Sequence, residues 1–145
     1  MRAVVQRVTS AKLTVNGKTV SETGKGLVVF FGVKAGDTAA QADYLAKKIA
    51  LLRIFEDENG KMNRSVIETG GEVLFVSQFT LYGDASHGNR PSFTQAARGE
   101  EAEPLYLYAA EKLRSYGVPV RLGVFGADMK ITQGNDGPVT ILLEN

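Results

Sequence analysis

The sequence predicts an α/β fold, in the form of a β-rich domain with two helices packed over its strands. Three observations carry this. Short apolar runs rich in Val, Leu, Ile and Phe recur from end to end. Only two segments space their apolar residues at helical intervals. The elements then follow in the order strands, helix, strands, helix, strands, which suits helices laid on a sheet.

The elements can be justified in turn. Ala3 to Val8 is mostly apolar, and Lys12 to Val20 holds Asn16-Gly17 between two β-like runs, the strongest short hairpin signal. Gly26 to Val33 is apolar on both faces and predicts a central strand covered on both sides. Asp37 or Thr38 can cap a helix carrying Ala42, Leu45, Ile49 and Leu52 inward and Lys47 and Lys48 outward. Ile54-Phe55 leads into a turn at Asn59-Gly60, and Gly70-Gly71 precedes a strand read as Glu72 to Leu81. Gly83 to Gly99 is rich in Gly, Ser, Asn and Pro and reads as a long loop of the kind that often carries function. Pro104 is expected in the first turn of a second helix that continues through Leu105, Tyr108, Ala109, Lys112, Leu113 and Tyr116. Gly117 and Pro119 end that helix. Val118, Val120, Leu122 and Val124 alternate as a half-buried strand, and Met129 to Ile131 and Val139 to Leu143 close the domain in β form.

Composition excludes several classes of function. The 145 residues suit one domain spanning 1–145, with no repeat or linker. No apolar stretch approaches the roughly 20 residues that cross a bilayer, so no membrane partner is expected. The N-terminal residues lack a signal-peptide layout, and a chain without cysteine fits a reducing cytoplasm. With no cysteine and His87 as the sole histidine, neither a typical zinc or iron site nor a cofactor is expected. Seventeen basic against sixteen acidic residues leave a charge of +1. That balance does not coat a nucleic acid: no DNA partner is expected, and RNA would be gripped locally.

Two motifs stand out. Val73-Leu74-Phe75-Val76 ends abruptly in Ser77-Gln78-Phe79-Thr80-Leu81, a polar cluster at a strand end. Near the C-terminus, Asn135-Asp136-Gly137-Pro138-Val139-Thr140 contains a Gly-Pro step, where a cis peptide is accessible. A polar strand end and a rigid backbone corner are parts of a small-molecule pocket. Each also has a plain structural explanation, since Gly-Pro commonly forms a turn and a strand end commonly exposes hydroxyls. Phe79 and Phe125 suit either core or pocket wall. His87, Arg90 and Lys130 could meet phosphates or be solvated surface. Asp57, Glu58 and Asp128 show no arrangement that points to carboxylate chemistry.

With these residues laid out, the chain resembles the D-aminoacyl-tRNA deacylase family nearly end to end. The likeness rests on Gln6-Arg7-Val8 with Ala11, Gly26 to Val33, and Arg53-Ile54-Phe55 followed by Asp57, Gly60, Lys61, Met62 and Asn63. It continues through Ser77 to Leu81, Arg90-Pro91-Ser92-Phe93, Phe125-Gly126-Ala127-Asp128-Met129 and Asn135 to Thr140. The resemblance implies a three-layer β/β/α domain with barrel-like sheets of mixed strands and both helices on one side. It implies a homodimer that cleaves the ester between a D-amino acid, or glycine, and the 3′ end of tRNA. Ser77, Gln78, Phe79 and Thr80 correspond to the catalytic motif, and Gly137 and Pro138 to the chirality-selecting motif, which in the family reaches into the partner subunit's pocket. Arg7 is similar to the residue that pins that loop, with Phe125 and Met129 in support.

The chemistry then has two forms. Thr80 can act as a nucleophile only with a nearby base, and the spacing brings no imidazole to it. Alternatively, the Phe79 and Thr80 amides stabilise an oxyanion while the terminal 2′-hydroxyl of the tRNA assists water, which is the preferred form. Main-chain carbonyls at Gly137-Pro138 would hold the α-ammonium group, leaving an L side chain no room. A threonine esterase acting on small esters and a non-catalytic dimeric RNA-binding module are the competing readings.

Overall fold

A computed structural model describes residues 1–145. Eight strands and two helices follow in the order β1 (Arg2–Val15), β2 (Lys18–Thr23), β3 (Gly26–Gly32), α1 (Ala39–Leu51), β4 (Phe55–Glu56), β5 (Met62–Arg64), β6 (Glu72–Ser77), α2 (Gly99–Ser115), β7 (Val120–Leu122) and β8 (Lys130–Glu144). A 3-10 turn, Phe79–Tyr82, follows β6.

The main sheet runs β2-β1-β3-β6-β7, with β8 on the other edge of β1. The β3–β6 and β6–β7 pairs are parallel and the rest antiparallel, so the sheet is mixed as expected. Period-2 alternation on β3 and β6 builds two cores. Leu27, Val29, Val73 and Phe75 face α1 and α2 in a cluster of 25 buried residues. Val28, Leu74 and Val76 point the other way, against Val8, Ala11 and Leu13. The three layers are therefore helices, central sheet and a second β layer. Ser21 Oγ donates to the Leu122 carbonyl at 2.6 Å, tying β2 to β7 and nearly closing the barrel.

Local chemistry explains the elements that were legible. Asn16 (φ 51°) and Gly17 (φ 76°) both take the left-handed backbone of a two-residue hairpin turn between β1 and β2. Thr38 caps α1 in a capping box with Gln41, and Ala42, Leu45, Ala46, Ile49 and Ala50 form its buried stripe. Full burial of Leu45 or Ile49 contributes about 1.5–3 kcal/mol each. Asp37 is not the cap; its carboxylate accepts from the Lys34 amide and pairs with the α-amino group of Met1 at 2.8 Å.

Several boundaries differ from the sequence reading. β1 is one strand of 14 residues rather than two runs, because it changes partner midway. Arg2 to Val8 pairs with β3, and Ala11 to Val15 with β2. The strand read as Glu72 to Leu81 stops at Ser77, because Leu81 N–H donates to Gln78 and Gly83 N–H to Thr80 in a tight turn. α2 begins at Gly99, so Pro104 lies beyond the first turn, within the helix. Glu100 and Glu101 favour that earlier start by facing the positive end of the helix dipole. The alternating Val118–Val124 segment keeps only three residues in β7, and Val124 is exposed.

β8 gives the largest difference. The segment expected to be two strands around a turn is a single strand of 15 residues. Gln6 pairs with Thr140 and Val8 with Asn135, so Asp136, Gly137, Pro138 and Val139 lie opposite Arg7 alone. This bulge and another shift between Val8 and Ser10 mark the bend where β1 crosses from one layer to the other. The Gly137-Pro138 peptide is cis.

Candidate active site

A pocket of about 350 Å³ opens where β3 and β6 end. Phe31, Val33 and Val76 form its apolar floor, Gly99, Ala102 and Tyr106 of α2 with the preceding Ala97 a second wall, and Phe125 to Met129 with Ile131 its far side. Ser77, Gln78 and Phe79 complete the lining. Most of the lining is apolar, so an ester bound here would meet few competing water contacts.

The 3-10 turn sets the polar geometry. Its first hydrogen bond runs from the Leu81 amide to the Gln78 carbonyl at 3.3 Å, which leaves the Phe79 and Thr80 amides at the turn's open N-terminus. The Phe79 ring is 56% exposed and meets Phe93 edge-on at 5.2 Å, so it is a rim group rather than core. Gly83 makes that approach possible: a Cβ there would lie 3.0 Å from the Phe93 ring. Thr80 is exposed, and its hydroxyl accepts a hydrogen bond from the Gln78 side-chain amide.

Supporting groups brace the pocket from behind. The Tyr106 hydroxyl donates to the Phe75 carbonyl at 2.7 Å, and its ring stacks on Phe75 at 5.2 Å and meets Phe125 at 6.0 Å. Burial pushes the Tyr106 pKa up to about 12. Met129 packs against the second β layer, close to Leu13 and Val76. Phe125, which alternation alone would have assigned to the core, is half-buried and lines the pocket.

Gly137 and Pro138 are not brought to this pocket. The pocket adjoins the two ends of β1, since Phe31 pairs opposite Ala3 and Ile131 opposite Leu13. Arg7 and the bulge opposite it lie at the bend between those ends. Gly137 and Pro138 are exposed there, while Arg7 is buried beneath them. Arg7 Nη1 donates to the Ile54 carbonyl at 2.7 Å and Nε to the Asp136 carbonyl at 3.1 Å, with an ion pair to the Asp136 carboxylate at 3.2 Å. Gly137 has φ 124°, and a Cβ there would lie 2.9 Å from Val139 Cγ2 and 3.3 Å from Arg7 Nη2.

Apart from Arg90, which is exposed on the loop after Gly83, the remaining candidates have structural partners. Asp57 accepts from Asn63 Nδ2 and from the Asn59 and Lys61 amides, and the Asn63 bond first among these holds its carboxyl below the usual range. Glu58 pairs with Arg64 at 2.6 Å, and Asp128 with Lys130 at 3.0 Å. His87 sits on the exposed loop with Nδ1 2.8 Å from Ser86 Oγ and does not line the pocket. Sequence reasoning missed Ala102 and Tyr106, which α2 brings from the other half of the chain, and Ala97, which lies just before that helix. The early start of α2 at Gly99, signalled by Glu100 and Glu101, was the one available clue.

Comparison with known proteins agrees with this architecture. A family described as D-Tyr-tRNA(Tyr) deacylase matches residues 4–144. A D-aminoacyl-tRNA deacylase of Symbiobacterium thermophilum is 57% identical over 145 residues, covering 100% of this chain and 96% of that protein. A protein of the same name from Desulfitobacterium hafniense is 55% identical, covering 100% and 97%. Among solved structures, the c-Myc DNA Unwinding Element Binding Protein superimposes with a TM-score of 0.93 at 44% identity, covering 100% of this chain and 99% of that one. A probable eukaryotic D-amino acid tRNA deacylase gives 0.83 at 20% identity, covering 98% and 97%, a likeness of fold alone. Matched over nearly its whole length, the chain belongs to the D-Tyr-tRNA(Tyr) deacylase family.

Proposed function

We propose that this protein hydrolyses the ester joining a D-amino acid, or glycine, to the 3′ end of tRNA while sparing the L ester, and that main-chain groups do the work. The observation that carries the reading is the open N-terminus of the Phe79–Tyr82 turn above an apolar pocket. Water adds to the ester carbonyl, and the Phe79 and Thr80 amides take the developing oxyanion charge. The terminal 2′-hydroxyl of the tRNA assists the attacking water. The C–O bond to the 3′ oxygen then breaks, and that oxygen leaves with the proton. Ser77 and Gln78 shape the turn, with Phe125 and Met129 walling the pocket.

A Thr80 nucleophile is less well supported. Its hydroxyl accepts from the Gln78 side-chain amide, no histidine or lysine lines the pocket, and Asp128 is engaged by Lys130. Backbone catalysis needs no such base.

Chiral selection is assigned to Gly137 and Pro138 of a second copy of the chain. Both are exposed and away from their own pocket, held by Arg7 in a bulge that faces outward. β8 pairs only with β1 and contains no buried residue, so a long edge is free to meet another copy. On this reading the protein is a homodimer with the site completed across subunits, working on tRNA in the cytoplasm. Purified protein should free D-tyrosine from D-tyrosyl-tRNA and leave L-tyrosyl-tRNA intact, followed by thin-layer separation of the labelled amino acid. Equal turnover of the two esters would refute the chiral filter.

A further inference from the structure

Outside the pocket, one groove gathers charge without neutralising it. The C-terminal half of α1 and the residues after it line a shallow depression with Tyr44, Lys47, Lys48, Leu51, Leu52 and Arg53. Lys47, Lys48 and Arg53 are exposed, and none forms an ion pair. Asp43, the only acidic residue on α1, is taken by Lys112 at 3.3 Å and by the Tyr108 hydroxyl at 3.0 Å. Glu58 is taken by Arg64. The Glu68 carboxyl is held low first by hydrogen bonds from Ser65, with the Arg53 charge a lesser contributor.

Two of the cations are also held in place. The Lys48 ammonium lies 5.5 Å from the centre of the Tyr44 ring. Arg53 donates from Nε to the Asn63 carbonyl at 2.8 Å and from Nη2 to Asn63 Oδ1 at 3.0 Å, so its guanidinium is oriented without being neutralised. Lys48, in the last turn of α1, complements the helix dipole. That accounts for one cation of three, not for their convergence.

The position of the groove is informative. Its last residue, Arg53, is followed by Ile54, whose carbonyl accepts from Arg7, and Arg7 holds the Asp136–Val139 bulge. Groove and bulge thus share one end of the protomer. We infer that this groove takes backbone phosphates of the tRNA body, a role that rests on the deacylase reading above. With the bulge of one protomer set into the pocket of its partner, the groove borders that pocket. The acceptor stem must leave the pocket past this surface, and phosphate contacts would position it without reading sequence.

The test is the triple substitution Lys47→Gln, Lys48→Gln, Arg53→Gln, compared with Lys12→Gln, Lys18→Gln on the β1–β2 hairpin. The affinity for fluorescein-labelled uncharged tRNA should fall about tenfold in the triple variant, with the salt dependence shallower by roughly two units of log–log slope. KM for D-tyrosyl-tRNA should rise in step while kcat stays within about twofold. The hairpin variant should match the wild type. Unchanged tRNA affinity in the triple variant, or equal weakening in the hairpin variant, overturns the groove even if D-selective turnover stands. Should the wild type cleave neither ester while the triple variant still binds tRNA about tenfold more weakly, the groove stands and the deacylase reading falls.

Discussion

Two places in this molecule break an apolar strand with small polar residues, and they do opposite things. At the end of β6, the chain curls into a turn at Phe79–Tyr82, and Ser77 to Phe79 line their own protomer's pocket. In β8, Asp136 to Val139 leaves the ladder opposite Arg7 and faces outward, away from that pocket. One segment presents amide donors, and the other a glycine followed by a proline that has no N–H to donate. The difference teaches that local chemistry marks where backbone is laid open, whereas strand register decides which pocket that backbone can serve.

The comparison breaks hardest at Gly137. Gly137→Ala forces a Cβ to within 2.9 Å of Val139 Cγ2 in a backbone of φ 124°. Displacing the bulge by about 1 Å should lower D-tyrosyl-tRNA turnover about 100-fold. Single-turnover assays would measure this, with circular dichroism checking that the fold survives; unchanged turnover would remove the bulge from the site. Arg7→Ala comes next. It strands the Ile54 and Asp136 carbonyls and should cost about 2 kcal/mol in a urea titration. Turnover should fall by about tenfold, less than for Gly137→Ala, because the bulge loosens rather than shifts.

Alkaline stability sharpens the other side of the comparison. The Tyr106 hydroxyl has its pKa raised from 10.0 to about 12 by burial behind the pocket. A raised folded-state pKa means this stabilising contribution is complete below pH 10 and is lost as pH climbs towards 12. In that window the unfolded chain releases the proton and the folded one does not, so stability falls by up to about 1.4 kcal/mol per pH unit. Tyr106→Phe should flatten part of the slope in urea midpoints measured across this range. Tyr82, also raised to about 12 chiefly by burial, and Tyr108, raised chiefly by its hydrogen bond to Asp43, contribute to the part that remains. The smallest effect is expected at Thr80. Thr80→Ala removes one exposed hydrogen bond, worth about 1 kcal/mol, so turnover should stay within about fivefold. Abolished turnover with intact tRNA binding would restore the nucleophile.

Short-range signals made much of the fold legible. Asn16-Gly17 forms its hairpin, Thr38 caps α1, and the doubly apolar run after Gly26 is a strand covered on both faces. What could not be read is what depends on distant partners. β1 appears broken in sequence at Thr9-Ser10 because both are exposed where it changes neighbours, yet the backbone runs on. Gly137-Pro138 reads as a turn because turn chemistry is local, whereas its role as a bulge follows from pairing with a strand more than a hundred residues away. In the site, Ser77 to Phe79 was marked by its abrupt polarity. Ala102 and Tyr106 gave no such signal, since a pocket wall and a helix core use the same residues.

The open turn after β6 also bears on how the protein would be dissected by mutagenesis. If its working groups are peptide N–H groups, replacing side chains one at a time leaves them in place, and an alanine scan would pass over the catalytic centre with little response. Only an edit to the main chain itself, such as a proline at position 80 or an amide-to-ester exchange, would silence the donor.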